Sequence, residues 1–316
     1  MGIKGSPTCE LTYKNAPAEL CGDTRMGLIK YVMALMNGAR LGIAAQSVGV
    51  SEIAYREALA YANDRKQFGK AIIEFPAVAE MLSVMKAKLD ASRSLLYETA
   101  RYVDLYKVLE DIDKERKLTP EERKECKQYK KLADALTPMA KGLSSEYCNQ
   151  NAYDCIQIHG GSGFMKDYAC ERVYRDARIT SIYEGTTQLQ VVAAIRHVMT
   201  GTYDQLIDTY TEMPVSEALQ AQKTAAEAMA AKYKAAVAKV REINEPAYTD
   251  FMARHLVEMA GDVVMSYLLI TDASRYNSES LTRSAKVYVN LAQADMAKHQ
   301  AVIDTVAPAE LPLYNA

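Results

Sequence analysis

The chain has 316 residues, 49% of them hydrophobic and 25% charged, which is the composition of an ordinary soluble protein long enough for two domains. A formal net charge of -2 gives no electrostatic reason to expect nucleic acid or an anionic membrane surface as a partner. No apolar run approaches the ~20 residues of a membrane span, and the N-terminus carries no apolar signal segment, which argues against membrane insertion and secretion.

The first 24 residues are rich in glycine and proline, and residues 9–13 predict a single short strand. An isolated strand is marginally stable in water at best, because its backbone groups find no partner. We therefore interpret segment 1–24 as the remnant of a β-domain whose remainder is supplied elsewhere.

Two long helices are predicted next. Between Met26 and about Asn63 there is no proline, and apolar residues recur near helical spacing. Gly69 is a plausible C-terminal cap after this helix, and Pro76 suits the first turn of the second one. The second helix carries one apolar stripe, formed by Val78, Leu82, Met85, Leu89 and Leu96.

A charged corner is predicted between the second and third helices. Residues 104–131 mix both signs of charge, which is typical of a solvated connection between helices. Within them, Thr119 and Glu122 form a capping box around Pro120, so a helix begins there. We expect this third helix to reach Ile158 and to stop at the glycines of residues 160–163, and we allow for a break near Pro138.

Two shorter helices are predicted over residues 167–177 and 186–199, the latter closed by Gly201. Residues 202–214 are predicted to be a linker. Three further helices complete the chain, near residues 215–242, 246–273 and 278–305.

The predicted fold class is therefore all-α. Residues 25–201 are expected to form a four-helix up-down bundle, and residues 215–316 a smaller helical accessory bundle, with the strand remnant before them. The accessory bundle carries no motif, so its expected role is packing or contact between subunits.

The stretch Ser181–Gln190 has the composition of a ligand-binding loop. Glu184 lies between an aromatic residue and a glycine, and partial desolvation beside Tyr183 would raise its pKa and make it a stronger base toward a carbon acid. Gly185 permits close approach to a ligand, and Thr186 or Thr187 can cap the next helix. The alternative is an exposed loop glutamate before an ordinary helix start.

Three glycine-containing loops stand out: residues 65–69, 157–163 and 184–188. Each combines backbone that a ligand can approach with side chains that bond phosphate or a heterocycle edge. Each could equally be a simple helix end, since helices commonly end in glycine.

A metal site is not predicted. Cys148, Cys155 and His159 share one face of the third helix, but zinc needs a fourth ligand, and no paired Cys-x-x-Cys unit is present. The six cysteines are scattered along the chain, which is typical of reduced thiols in a cytosolic compartment, and we expect a cytoplasmic protein.

Three motifs, in this order, resemble the acyl-CoA dehydrogenases: Tyr61–Gly69 (YANDRKQFG), Gln157–Gly163 (QIHGGSG), and Arg175–Ile179 (RDARI) leading into Ile182–Thr186 (IYEGT). The resemblance covers about residues 1–201. The charged corner and the helical tail resemble the longer bacterial members, which carry an extra C-terminal domain.

The resemblance implies FAD-dependent α,β-dehydrogenation of an acyl-CoA thioester to the trans-2-enoyl-CoA, a reaction of fatty acid β-oxidation. Glu184 matches the glutamate that removes the α-proton while the β-hydrogen leaves as hydride to N5 of FAD. Its backbone N–H and a flavin ribityl hydroxyl would hold the thioester oxygen. The resemblance also implies electron-transfer flavoprotein as the electron acceptor and a homo-oligomeric enzyme.

The resemblance also implies roles for individual residues. Arg65 and Phe68 resemble the pair that contacts FAD from the neighbouring subunit. The residues near the adenine and pyrophosphate would be Gln157, Ile158, His159, Gly160 and Gly161. Those near the other end of FAD would be Thr186, Thr187 and Gln188. The substrate-binding residues would be Asn37, Gly38, Ala39 and Arg40 for CoA, and Gly185 beside the acyl group.

The chain departs from the family pattern in two ways. Pro76 stands eleven residues after Arg65, where many relatives have a second FAD-contacting glutamine. The helical domain and most of the β-domain that begin other members have no counterpart, so we expect this chain to be part of an active unit. Two alternatives remain: a helical assembly subunit without catalysis, and a related flavoprotein acting on another carbon acid such as a nitroalkane. Retention of Asn37 and Arg40 favours CoA.

Overall fold

Long helices dominate the computed structural model, which describes residues 1–314, without the side chains of residues 28–30, 33 and 34. A π-helical turn, Gly27–Val32, leads into the first α-helix. The α-helices in residues 1–314 are α1 (Met33–Asp64), α2 (Pro76–Glu115), α3 (Pro120–His159), α4 (Ala169–Ala177), α5 (Thr187–Met199), α6 (Thr202–Thr211), α7 (Gln220–Ile243), α8 (Pro246–Tyr276) and α9 (Glu279–Thr305). A two-stranded antiparallel hairpin, β1 (Lys66–Gln67) and β2 (Lys70–Ala71), joins α1 to α2. The all-α prediction is confirmed.

The helix ends follow local rules. Thr119 Oγ1 accepts from the backbone N–H of Glu122 at 3.2 Å, and the Glu122 carboxylate accepts from the N–H of Thr119 at 2.8 Å, which is the predicted capping box. Gly201 ends α5 in the left-handed region, with φ of 71°. Pro138 lies inside α3, and the helix runs through it unbroken, so the break that we allowed for does not occur.

Two apolar clusters fill the interior. The larger one extends from α1, α2 and α3 through α5 and α6 into α7, α8 and α9, so the helical tail shares its core with the first bundle. The smaller one lies where α1, α2, α3 and α4 meet. Because α1, α2 and α3 each contribute to both clusters, these three helices connect the two ends of the molecule.

One predicted strand is wrong, and one predicted linker contains a helix. Residues 9–13 form no strand, because no second strand pairs with their backbone, and residues 1–24 are irregular chain that is exposed apart from the half-buried Gly2 and Ile3. The predicted linker of residues 202–214 contains α6, whose inner face is fully packed. That face is formed by Tyr203, Leu206, Ile207 and Tyr210. The predicted domain limits at residues 201 and 215 stay predictions.

No helix within residues 1–314 has the length and apolar character needed to cross a bilayer.

Candidate functional site

The loop between the 3-10 turn Arg178–Ser181 and α5 carries the most unusual backbone of the site. Glu184 has φ of 55° and Gly185 has φ of 94°, so two consecutive residues adopt the left-handed conformation. For a non-glycine residue this conformation costs on the order of 1 kcal/mol or more, and such strain is concentrated at functional sites. The Glu184 side chain is half-buried.

Three side chains from three elements hold the carbonyl groups of this loop. Lys141 of α3 donates from Nζ to the Gly185 carbonyl oxygen at 2.6 Å, and Gln190 of α5 donates from Nε2 to the same oxygen at 2.9 Å. Gln190 also donates to the Glu184 carbonyl oxygen at 3.3 Å, and Arg40 of α1 does so from Nε at 3.4 Å. Both carbonyl oxygens therefore point into the protein.

The backbone N–H groups of Glu184 and Gly185 differ from the carbonyl groups in their hydrogen bonding. Among the residues that the structure describes, neither group donates a hydrogen bond. A loop whose carbonyl groups are bound and whose N–H groups are free presents donors to a ligand, as an oxyanion site does.

The predicted substrate-binding residues of α1 are brought to this loop only in part. Arg40 Nη1 donates to Asn37 Oδ1 at 3.3 Å, so these two side chains form one unit beside the Glu184 carbonyl group. Gly38 is exposed, and a Cβ there would meet no atom within 4 Å. Ala39 is half-buried. The binding of CoA by these residues stays a prediction.

The first residues of α5 and its cap hold the C-terminal end of the loop. Thr186 Oγ1 accepts from the N–H of Leu189 at 3.4 Å, which makes Thr186 the cap, and Thr187 Oγ1 donates to Glu146 Oε1 of α3 at 2.5 Å. Gln188 is exposed. Thr186 and Gln188 therefore border open space, while Thr187 ties α5 to α3.

Tyr183 anchors the loop on its other side. Its hydroxyl donates to Oε1 of Gln46 in α1. Burial raises the pKa of Tyr183; the Gln46 bond opposes this rise and the Glu184 charge adds to it. The aromatic residue before the glutamate thus fixes the loop against α1.

The predicted cofactor residues that precede α2 and those at the end of α3 lie together at a second site. Arg65, Phe68 and the end of α3 line one cavity of about 550 Å³. Phe68 is 93% exposed, has φ of 51°, and meets Phe75 edge-on with ring centroids 6.3 Å apart. The predicted cofactor residues in this cavity are Arg65, Phe68, Gln157, Ile158, His159, Gly160 and Gly161.

The floor of this cavity is aromatic and its rim is glycine. His159 stacks on Tyr61 with ring centroids 4.2 Å apart, and the Tyr61 hydroxyl donates to Ser162 Oγ at 3.3 Å. Gly160 and Gly161 are exposed, and a Cβ at either would meet no atom within 4 Å. An extended polar ligand can thus approach the backbone at the end of α3, beside the Arg65 guanidinium.

The cysteine–histidine cluster differs from the set considered in the sequence. The ligand atoms of Cys155, His159 and Cys170 lie within 4.8 Å of one another, and Cys148 is not a member. His159 Nδ1 is 2.7 Å from the Cys155 carbonyl oxygen. Burial raises the pKa of the Cys155 and Cys170 thiols. A structural zinc site takes four ligands, and this group offers three.

The loop of Glu184 and the cavity of Arg65 are separate places on the molecule. Lys141 and Gln157 are 16 residues apart on α3, which is roughly 24 Å of helix at a rise of ~1.5 Å per residue. The structure therefore does not bring all the predicted site residues together, but arranges them at two points along α3.

Sequence reasoning missed Lys141 and Gln190. A signal for Lys141 was present, because it is a charged residue among the mainly small and apolar residues of 133–145, which are buried except for the half-buried Asp134. Gln190 is 1% exposed on the inner face of α5. Polar residues at such core positions usually have a specific partner.

Models of known protein families match two adjacent parts of the chain. Residues 29–199 match the family model described as "Acyl-CoA dehydrogenase, C-terminal domain", and residues 199–311 match the model described as "Acyl-CoA dehydrogenase C terminal". Among curated relatives, the caffeyl-CoA reductase-Etf complex subunit CarC of Acetobacterium woodii is 37% identical over 193 residues, which cover 60% of this chain and 44% of that protein. An acyl-CoA dehydrogenase of Bacillus subtilis is 35% identical over 205 residues, covering 64% of this chain and 48% of that protein.

A solved structure agrees with the fold. The crystal structure of an acyl-CoA dehydrogenase complexed with FAD from Bacillus anthracis aligns with a TM-score of 0.70 at 22% identity, covering 90% of this chain and 51% of that one. The chain spans about half the length of the curated relatives that it matches.

Proposed function

Because the chain belongs to the acyl-CoA dehydrogenase family, we propose that it carries the catalytic base of an FAD-dependent acyl-CoA oxidoreductase and that this base is Glu184. The observation that supports this most is the left-handed pair Glu184–Gly185, whose carbonyl groups are bound by Lys141, Gln190 and Arg40. This backbone leaves a carboxylate and two N–H donors for a substrate.

The proposed reaction begins with proton removal from the α-carbon of an acyl-CoA thioester. The Glu184 carboxylate accepts this proton, and the thioester oxygen, which gains negative charge as the proton leaves, accepts a hydrogen bond from the Glu184 N–H. FAD, when bound, supplies the oxidising power by taking the β-hydrogen as hydride. The product is the trans-2-enoyl-CoA.

The residues of the second cavity fit FAD. A dinucleotide needs a cation for its pyrophosphate, open glycine backbone and flat apolar surfaces, and the cavity provides Arg65, Gly160, Gly161 and the exposed ring of Phe68. We assign the remaining cofactor contacts to Gln157, Ile158 and His159 there, and to Thr186, Thr187 and Gln188 beside Glu184. Pro76 has no side-chain donor to offer such a ligand.

Two separate groups of proposed FAD contacts, one beside Glu184 and one in the cavity of Arg65, suit an oligomer in which one chain serves two cofactors. The exposed Arg65 and Phe68 would then meet FAD held mainly by a second copy. The proposed electron acceptor is electron-transfer flavoprotein, supported by the relative named as a reductase-Etf complex subunit. The proposed CoA contacts are Asn37, Gly38, Ala39 and Arg40, with Gly185 beside the acyl group.

The reductive direction is a second candidate. The relative from Acetobacterium woodii is named as a caffeyl-CoA reductase, and the same groups serve both directions. In reduction Glu184 would give its proton to the α-carbon instead of accepting it, since forward and reverse reactions share one transition state. Equilibration from the enoyl-CoA side with chemically reduced flavin tests this direction.

The test is a flavin absorbance titration. The purified chain is mixed with FAD, with and without a co-expressed N-terminal region of the family, and butyryl-, octanoyl- and palmitoyl-CoA are then added in turn. We expect a bound, perturbed flavin that bleaches with at least one thioester. Glu184→Gln should slow bleaching by about 10²-fold or more, and Glu125→Gln, an exposed glutamate of α3, should not.

Two results would contradict the proposal. Free flavin under every condition would favour the helical assembly subunit without catalysis. A bound flavin that ignores thioesters but bleaches with a nitroalkane would favour the related flavoprotein.

A further inference from the structure

Lys141 is an unusual lysine. It lies in the middle of α3 between Ala140 and Gly142, and its side chain is fully buried. Lysine is almost never fully buried unless its charge is compensated. A buried ammonium group at this position therefore requires a specific reason.

The partner of Lys141 is a backbone carbonyl group. Its Nζ donates to the Gly185 oxygen at 2.6 Å, and within residues 1–314 no carboxylate lies at ion-pair distance from it. The charged groups that face it are Glu146 on α3, Glu184 on the loop and Arg40 on α1. A lysine that served only to neutralise a carboxylate would contact that carboxylate.

The carbonyl group that it binds belongs to the strained part of the loop. Rotation of the Gly185 carbonyl toward solvent would break this bond and free the loop, in which Glu184 and Gly185 have φ angles of 55° and 94°. Gln190 opposes the same rotation through the same oxygen. A charge-assisted bond is the stronger of the two restraints.

We propose that Lys141 is a positioning residue for Glu184. Its ammonium group holds the Gly185 carbonyl inward and so keeps the Glu184 carboxylate and the free N–H groups of the loop directed at the substrate. The proposal rests on the proposed function for the role of Glu184, but the restraint on the loop is a property of the chain itself.

The proton on Lys141 gives this restraint a pH dependence. Burial lowers the pKa of Lys141 to about 8, an effect to which Arg40 adds and which Glu146 and Glu184 oppose. The charged form is present below this value and is lost as the pH rises through it. A neutral amine binds a carbonyl oxygen more weakly, so the loop should loosen on the alkaline side.

The first test is hydrogen exchange of the chain as it stands, followed by mass spectrometry. Tyr183 and Gln190 donate backbone hydrogen bonds at the two ends of the loop, at 3.1 Å each, so their exchange reports loop opening. In Lys141→Met we expect exchange of peptides covering residues 181–190 to rise by about 10-fold or more, the equilibrium effect of losing a charge-assisted hydrogen bond. Lys127→Met, an exposed lysine of the same helix, is the control.

The second measurement follows the same peptides from pH 6 to pH 10. After correction for base-catalysed exchange, protection in the wild type should fall above a pH of about 8, the pKa of Lys141. In Lys141→Met it should be low and independent of pH. Equal protection in wild type and Lys141→Met, with the helices of both intact by circular dichroism, would overturn the proposal, as would a flat wild-type profile.

Activity then separates this proposal from the one on which it rests. If flavin bleaching depends on Glu184, Lys141→Met should lower the rate constant by about 10²-fold, the effect of a small misplacement, with little change in KM. If bleaching requires Glu184 but not Lys141, the positioning role of Lys141 is refuted and the proposed function stands. Loop protection that needs Lys141, in a chain that never bleaches, would refute only the proposed function.

Discussion

Gly261 of α8 lies against α3 in a way that permits a sharp test of the shared core. A Cβ on Gly261 would lie 2.2 Å from Leu143 Cδ1, 3.6 Å from its Cγ and 3.9 Å from its Cδ2. Carbon atoms pack at about 3.5 Å or more, so Leu143 Cδ1 would have to move by about 1.3 Å. Leu143 follows Lys141 by two residues and is 7% exposed, so it has little room.

The free energies can be worked from this geometry. Gly261→Ala gains about 1 kcal/mol of helix propensity and loses about 1–3 kcal/mol through overpacking, so it should destabilise by about 0–2 kcal/mol. Leu143→Ala should cost about 2–5 kcal/mol. In the double variant the new methyl group enters the space vacated by Leu143. We therefore expect the double variant to be more stable than the sum by about 1–3 kcal/mol.

The assay is urea unfolding of the four proteins, followed by circular dichroism and fitted with a common m-value. Ala226→Gly with Leu143→Ala is a matched second cycle, because Ala226 is buried in α7 and should not couple to Leu143. Additive free energies for Gly261 and Leu143 would refute direct packing of α8 on α3 at this point. They would also remove the physical basis for a core that is continuous between the first bundle and the tail.

Two other predictions concern α5 and α6. Tyr203 is fully buried and donates its hydroxyl to the Ala135 carbonyl oxygen at 2.6 Å, so Tyr203→Phe should lower the free energy of unfolding by about 1 kcal/mol in urea titrations; no change would mean that α6 does not dock on α3 as observed. Burial, aided by Arg196 and Lys131, lowers the pKa of His197 from 6.5 to about 4, so its contribution to stability is present above 6.5 and is lost as the pH falls through about 4. His197→Gln should flatten this part of the pH–stability curve, and a curve that matches the wild type would show that His197 is not the group responsible.

Local sequence rules succeeded wherever a few adjacent residues decide the outcome. The capping box at Thr119, the proline at position 76 and the glycine at position 201 set helix ends through their own backbone preferences and nearest neighbours. The same rules did not predict helix α6, whose residues were assigned to a linker. Its buried face includes two tyrosines, which sequence scales treat as only weakly apolar, and ten residues give too few turns for the period to stand out.

The candidate site was only partly open to prediction. Glu184 and Gly185 could be selected because a carboxylate beside a glycine suggests a base beside flexible backbone, and the family resemblance added the cofactor residues. The left-handed conformation of Glu184 is less apparent in the sequence, because a glutamate seldom adopts it without outside support. That support comes from Lys141 and Arg40, which are 43 and 144 positions away along the chain.

Helix class, helix ends, motif order and family membership could thus be established from the amino-acid order, because they depend on spacing and on neighbours within one or two turns. The folded molecule alone decided that Lys141, Gln190 and Arg40 meet at two carbonyl groups, that Arg65 and His159 share a cavity, and that α6 is part of the core that the first bundle shares with the tail. These contacts join residues far apart in the chain. Their geometry is set by how α1, α3 and α5 pack, and no local pattern contains that information.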